Sequence, residues 1–234
     1  MRAIQIDGYK TGDVKVALSQ VDMPQVGDND VLVKVKTAAV NPLDLLIAHG
    51  DVKLVVPYNF PLTMGNEMVG VVERVGAKVN NFEVGNRVFA RLPLQRIGAF
   101  AEYVAVDAEA LAIVPEYLTD EEAAAIPLTA LTAEQALDLL HLKTNSSLFI
   151  SGGSGSFGAM AIPLSAARGL KVITSGGVEA KERTLALGAD RFFDYRTEDY
   201  TEHLRDVDGA IDSLGDKELP RLFSILRQGA TAVS

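Results

Sequence analysis

Four glycines and three serines stand between an apolar run and a helix-like run in FISGGSGSFGAMA, residues 149–161. None of these side chains is a strong acid, base or nucleophile on its own. What they offer is bare backbone, which suits either a tight turn or a bed for a phosphate. Gly152, Gly155 and Gly158 fit G-x-x-G-x-x-G, and Gly153, Gly155 and Gly158 fit G-x-G-x-x-G, after the strand pattern SLFI and at the start of a helix pattern. In such a motif the first glycine permits φ values closed to other residues, Gly155 lets backbone approach a pyrophosphate, and Gly158 lets the helix pack close to the sheet. Ser154, Ser156 and Phe157 complete the loop, and the free N–H groups of the helix start favour an anion. The glycines alone leave turn and phosphate bed evenly matched. The strand before them, KVITSG at 171–176 and RFFDY at 191–195 tip the reading towards a dinucleotide site.

The end of the second strand distinguishes the dinucleotides, because an NAD site usually places Asp or Glu there to accept from the ribose 2′-OH. Here the strand ends ITSGG, with Ser175 in that place and no carboxylate before Glu179. Lys181 and Arg183 follow within reach of an added 2′-phosphate, although single cations on a helix are more often merely solvated. NADP is the expected cofactor, and the missing acid carries more of that expectation than the bases present.

The elements that must hold this loop change in texture near residue 120. Before it, short β-prone runs such as DVLVKVKTAAV, GNEMVGVVERVG and AFAEYVAV are separated by Gly, Asn, Asp and Pro, with PLDLLIAHG and TDEEAAAIP as short helices. After it, helix and strand patterns alternate, which predicts an α/β unit with a parallel sheet. Five strands are expected at 148–151, 171–174, 191–193, 209–212 and 230–233, in the spatial order 3-2-1-4-5. Pro163 falls inside the helix that the glycine loop opens. It lacks an N–H and crowds the carbonyl of Ala159, so a kink or local break is expected there. The domains are accordingly 1–120 and 121–234, with a helix shared near 120–140.

Composition bounds the chemistry. The chain has 234 residues, 48% of them apolar, enough for a substantial core. It has no cysteine, so disulfides, thiolate metal sites and thiol nucleophiles are excluded, and His49, His141 and His203 have no zinc-motif spacing. The net charge of −9 is spread without a Lys/Arg block, which argues against a nucleic-acid or anionic-membrane partner. The N-terminus MRAIQIDGYK has no apolar signal core and no stretch approaches a membrane span, so a cytoplasmic location is expected.

Beyond the glycine loop, NPLD at 41–44, GNEMVGVVERVGAKV at 65–79, GNRVFA at 85–90, GAFAEYVAV at 98–106, IPLTALTAEQAL at 126–137, LGADRFFDY at 187–195 and DGAIDSLG at 208–215 recur in order along nearly the whole chain. Together they resemble the medium-chain dehydrogenase/reductase superfamily, and within it the zinc-free quinone oxidoreductase group that includes zeta-crystallin. The resemblance implies a GroES-like, mainly β catalytic domain joined to a Rossmann domain, with the active-site cleft between them. Zinc-dependent members place a cysteine where this chain has Asn41 and a histidine where it has Asn66, so an alcohol dehydrogenase is disfavoured. The zinc-free relatives use NADPH to reduce quinones or the activated C=C of α,β-unsaturated carbonyls.

On that resemblance Asn41 lies near the nicotinamide, and Thr129 and Thr132 help place the cofactor. Tyr58 is either a substrate-side hydrogen-bond donor or a packing group. Asp44 and Glu67 match family carboxylates and are expected to shape the site by hydrogen bonding, with direct catalysis the lesser alternative. The sequence stops at GATAVS, where family members continue with the rest of the Rossmann sheet, so the fifth strand is expected to be an apolar edge open to pairing with a second copy of the chain. The expected activity is NADPH-dependent, zinc-independent hydride transfer to a quinone or enone. A catalytically weak nucleotide-binding protein with a structural, crystallin-like or redox-sensing role is the alternative, and enoyl-thioester reduction a further one.

Overall fold

A computed structural model describes residues 1–215 and 217–234. The chain divides into two compact units, Met1–Leu128 and Thr129–Ser234. The border lies in the first turn of a helix, later than the change in texture near 120, because the helical segment TDEEAAAIP packs on the β unit that precedes it. Among the described residues no helix is long and apolar enough to cross a membrane.

The first unit holds β1 (Arg2–Ile6), β2 (Ala17–Gln20), β3 (Asp30–Ala38), α1 (Pro42–His49), β4 (Leu62–Thr63), β5 (Glu67–Val75), β6 (Arg87–Arg91), β7 (Tyr103–Asp107), β8 (Ala112–Ile113) and α2 (Asp120–Ala124). Its strands form two antiparallel sheets, ordered β2-β1-β4 and β7-β3-β5-β6-β8. Alternation in β3 sends Val31 and Val33 into a core with Met68 and Val72 of β5, Val88 and Ala90 of β6, and Val104 and Val106 of β7. Each large side chain so buried contributes about 1.5–3 kcal/mol. Two register shifts between β3 and β5 bend this pair, the second between Val35 and Thr37, just before the chain reaches Asn41. The short α2 starts on a reciprocal cap: Thr119 Oγ1 accepts from Glu122 N at 3.1 Å and Glu122 Oε2 accepts from Thr119 N at 2.9 Å.

The helix α3 (Pro127–Leu140) leads into β9 (Ser147–Ile150), α4 (Ser156–Ala167), β10 (Lys171–Gly176), α5 (Lys181–Ala186), β11 (Arg191–Asp194), α6 (Tyr200–His203), β12 (Val207–Ile211), α7 (Glu218–Phe223) and β13 (Leu226–Val233). The five strands are parallel in the order β11-β10-β9-β12-β13, the expected 3-2-1-4-5 arrangement. Both faces of β9 are covered. Leu148 and Ile150 pack with Ala133 and Leu137 of α3 and with Ala161 and Ile162 of α4, while Phe149 packs with Phe193, Tyr200 and Leu222 on the other side. That double burial is why SLFI is a continuous apolar run. β13 begins four residues earlier than expected, because Leu226 already pairs with Val207, and a register shift before Gly209 and Thr231 leaves the polar RQG segment outside the ladder.

The expected local break at Pro163 does not occur. α4 runs unbroken from Ser156 to Ala167. Burial of Ala161, Ile162 and Ser165 holds the helix against the sheet, and Ser165 Oγ donates to the Ala161 carbonyl at 2.6 Å. Packing here outweighs the loss of one helical N–H.

Gly70 shows how tightly β5 crosses β3: a Cβ there would lie 2.4 Å from the Lys34 carbonyl oxygen and 2.5 Å from Val33 Cγ1. Gly70→Ala is expected to destabilise the chain by about 1–3 kcal/mol. Gly8→Ala, where a Cβ meets nothing within 4 Å, stays within about 0.5 kcal/mol of the parent. Urea midpoints of the two variants check this, and equal midpoints would refute it.

Candidate functional site

The glycine loop is built from backbone pressed against backbone. Gly152 turns the chain with φ +68°, where an L side chain would be strained. A Cβ on Gly153 would lie 2.0 Å from Thr174 Oγ1, and one on Gly158 would lie 2.4 Å from both the Cα and the carbonyl oxygen of Gly153. Gly158 therefore lets α4 close onto the turn that leaves β9. Gly155 differs from both. A Cβ there would meet only the Gly152 carbonyl oxygen, at 3.4 Å, an ordinary contact. The fold does not require glycine at 155, and the space above it is open.

Hydrogen bonds pin the loop from both neighbouring strands. From β10, the Ser175 carbonyl accepts from Gly153 N at 2.9 Å, and Thr174 Oγ1 donates to the Ile150 carbonyl at 2.6 Å. From β12, Ser151 Oγ donates to Asp212 Oδ1 at 2.8 Å and accepts from Ser213 N at 3.0 Å. Ser213 Oγ donates to the Ser151 carbonyl at 2.9 Å. Thr174, Asp212 and Ser213 were not singled out in the sequence. The available signal was the polar DS pair closing an otherwise apolar strand.

Beside the loop lies a cavity of about 330 Å³, lined by Gly152, Ser154, Ser175, Gly176, Tyr195 and Leu214 among others. It lies along the carboxyl ends of β9, β10, β11 and β12, the edge where open parallel sheets bind ligands. Ser175 is buried at its wall, whereas Ser156 and Lys181 are exposed. Phe157 packs on the core formed by α3, α4 and β9, so it serves the site through its backbone. Arg183 reaches back to donate to the Ser154 carbonyl at 3.0 Å. Thr129 and Thr132 both lie on α3, the first buried and the second exposed. Tyr195 is one of several lining residues that sequence reasoning passed over, although it follows the third strand at the same edge.

In the first unit Asn41 is the N-cap of α1, with Pro42 at the first helical position and Asp44 at the third. Asp44 Oδ2 accepts from Asn41 N at 2.8 Å, which closes the helix start. The Asn41 side chain turns the other way, Nδ2 donating to Glu67 Oε1 at 2.6 Å. Asn66 Nδ2 donates to Asp44 Oδ1 at 2.6 Å, and Glu67 Oε2 accepts from Leu128 N at 2.7 Å. Two amides and two carboxylates thus form one buried network. Its loose end is Asn66 Oδ1, buried without a hydrogen-bond partner. Burial raises both carboxyls above their ordinary range, against the lowering effect of the Asn41 backbone and Asn66 on Asp44, and of Asn41 and Leu128 N on Glu67. Asp44 also borders an apolar cavity of about 460 Å³ with Leu45, Ala48, Met64 and Phe100.

Tyr58 is placed differently from a free substrate-side donor. Its hydroxyl donates to the Leu94 carbonyl at 2.8 Å, and its ring packs in the cluster around Ile47 and Met64. The phenol proton is committed to backbone, so the packing alternative describes its position. Of the histidines, half-buried His49 lies beside the Gly12 carbonyl and His203 stacks on Phe193.

The carboxyl pair predicts a pH dependence of stability. Well below about pH 4 both groups are protonated in folded and unfolded chains alike. As pH rises the unfolded carboxyls ionise first, so the stability contributed by the buried pair is lost as pH climbs through their raised folded values. Urea unfolding from pH 4 to pH 8 should show the parent losing more stability than the Asp44→Asn/Glu67→Gln double variant. A parent that gains on the variant across that window would overturn the assignment.

Residues 27–116 match the family model of the alcohol dehydrogenase GroES-like domain. The quinone oxidoreductase of Sus scrofa is 32% identical to this chain over an alignment covering 100% of the chain and 72% of that protein. The chloroplastic quinone-oxidoreductase homolog of Spinacia oleracea is 32% identical over 84% of the chain and 62% of its own length, so the chain spans less than two thirds of that relative. The structure of Escherichia coli quinone oxidoreductase complexed with NADPH superimposes with a TM-score of 0.87 at 26% identity, covering 100% of this chain and 72% of that one. With a β unit of the GroES-like kind and a parallel sheet carrying the glycine loop, the chain belongs to the medium-chain dehydrogenase/reductase superfamily, in its zeta-crystallin-like quinone oxidoreductase group.

Proposed function

We propose that this chain carries NADPH-dependent, zinc-independent reduction of a quinone or of the activated C=C of an α,β-unsaturated carbonyl. The observation that carries the reading is the loop at Gly155: glycine stands where the fold itself does not demand it and where a side chain would occupy open space. A dinucleotide fits the residues present. The first N–H groups of α4 lack intrahelical partners and point to the mouth of the loop. Ser175 stands in place of a ribose-binding acid, with Lys181 and Arg183 following it. The relative from Escherichia coli was solved with NADPH, which supports the same cofactor here.

When bound, reduced nicotinamide supplies hydride to the electron-poor carbon, and a proton from solvent completes the reduction. The protein's part is binding and orientation. Asn41, Thr129 and Thr132 are proposed to position the nicotinamide portion. The donation from Asn41 Nδ2 to Glu67 fixes the amide rotamer. Zinc independence is supported by the donor set: Asn41 and Asn66 are neutral amides whose nitrogens are already committed to carboxylates. The same network gives Asp44 and Glu67 a positioning role.

The test is loss of reduced-nicotinamide absorbance on mixing the purified chain with NADPH and a panel of small quinones and enones. Acceptor-dependent oxidation supports the reading; saturable NADPH binding without turnover would favour the weakly catalytic alternative. Gly155→Ala is expected to weaken NADPH binding by about tenfold or more, while costing less than about 1 kcal/mol of stability. Unchanged NADPH affinity in that variant would reduce the loop to a structural turn.

A further inference from the structure

We propose that the Glu179–Arg196 ion pair is a specificity device that masks a carboxylate placed to select an unphosphorylated ribose. The inference rests on the NADPH reading and deepens it. Past the end of β10 the first carboxylate is Glu179, in the single helical turn Val178–Ala180. Its side chain folds back over the strand end: a Cβ on Gly177 would lie 2.4 Å from Glu179 Oε1 and 2.7 Å from Oε2. That is the neighbourhood from which an acid accepts the ribose 2′-OH in an NAD site.

The carboxylate is not available for that task. Arg196 Nη1 donates to Glu179 Oε2 at 2.8 Å and Arg196 Nη2 to Oε1 at 3.2 Å, so each oxygen faces its own nitrogen. The guanidinium also rests 5.1 Å from the ring centre of Tyr195, which lines the cavity together with Ser175 and Gly176. A forked, two-point grip on a carboxylate is the arrangement for which guanidinium is suited and ammonium is not. Arg196 holds the Glu179 carboxyl below its ordinary range, so the acid stays ionised and paired.

The consequence is a sign change at the ribose edge. A bare carboxylate there would accept from a 2′-hydroxyl and repel a 2′-phosphate. Capped by Arg196 it offers neither effect, and Ser175, Lys181 and Arg183 set the preference. Arg196 is thus a positioning residue that acts through Glu179.

Dissociation constants of NADPH and NADH for the full chain and for Arg196→Ala, Glu179→Gln and the double variant test this. Both residues are exposed, so the variants keep the fold. Arg196→Ala is expected to lower the preference for NADPH over NADH about tenfold or more, partly by tighter NADH binding. Adding Glu179→Gln restores the preference, and Glu179→Gln alone leaves it within about twofold of the parent. If the double variant is as poor as Arg196→Ala, Arg196 acts on the phosphate directly and the proposal fails. It fails also if Arg196→Ala keeps the preference of an NADPH-selective parent, a result that spares the cofactor reading. A parent without NADPH preference overturns both.

Discussion

The contact between the backbones of Gly153 and Gly158 governs the glycine loop of the second unit. With an added Cβ on Gly158 only 2.4 Å from Gly153, no other residue lets the first turn of α4 sit directly on the turn that leaves β9. Where that turn sits decides where the free N–H groups of the helix point. Neighbouring strands then lock the geometry from both sides, through Ser175 and Thr174 on β10 and through the Ser151, Asp212 and Ser213 network on β12. A phosphate bed must be ready before the ligand arrives, and rigid backbone supported on two flanks provides that at low reorganisation cost.

The first unit solves a different problem, the burial of two carboxylates. Burial raises the cost of ionising both Asp44 and Glu67, and at Glu67 the charge of Asp44 adds to it. Asn41 and Asn66 answer with amide donors, and the start of α1 answers with Asn41 N. The result couples helix capping to side-chain placement: one residue, Asn41, begins the helix with its backbone and orients its amide with Glu67. Asn66 keeps an oxygen without a partner, a cost that a purely structural pair of amides would have little reason to carry.

Much of this was legible in the residues. The alternating apolar runs after residue 120 encode both the elements and the strand order, because parallel strands buried on two faces leave continuous apolar stretches and crossover helices leave three-to-four residue periodicity. NPLD encoded the cap of α1, since Asn before Pro and three before Asp is a helix start. Of the kink or local break expected at Pro163, the break is absent, because burial of Ala161, Ile162 and Ser165 keeps the helix continuous. Tyr58 stayed ambiguous for a similar reason: nothing adjacent to it in sequence reveals that Leu94, far along the chain, receives its hydroxyl proton.

Chain-local chemistry was thus determined by the sequence alone: the glycine spacing, the missing acid at Ser175, the absence of cysteine and the periodicity of each element all depend on near neighbours. The tertiary structure decided every pairing across long separations. It showed that Gly158 meets Gly153, that Asn41 binds Glu67 while Asn66 binds Asp44, and that Glu179 is covered by Arg196. Such partners are chosen by strand register and helix placement, which sum contributions from the whole chain and leave no mark in any short stretch of it.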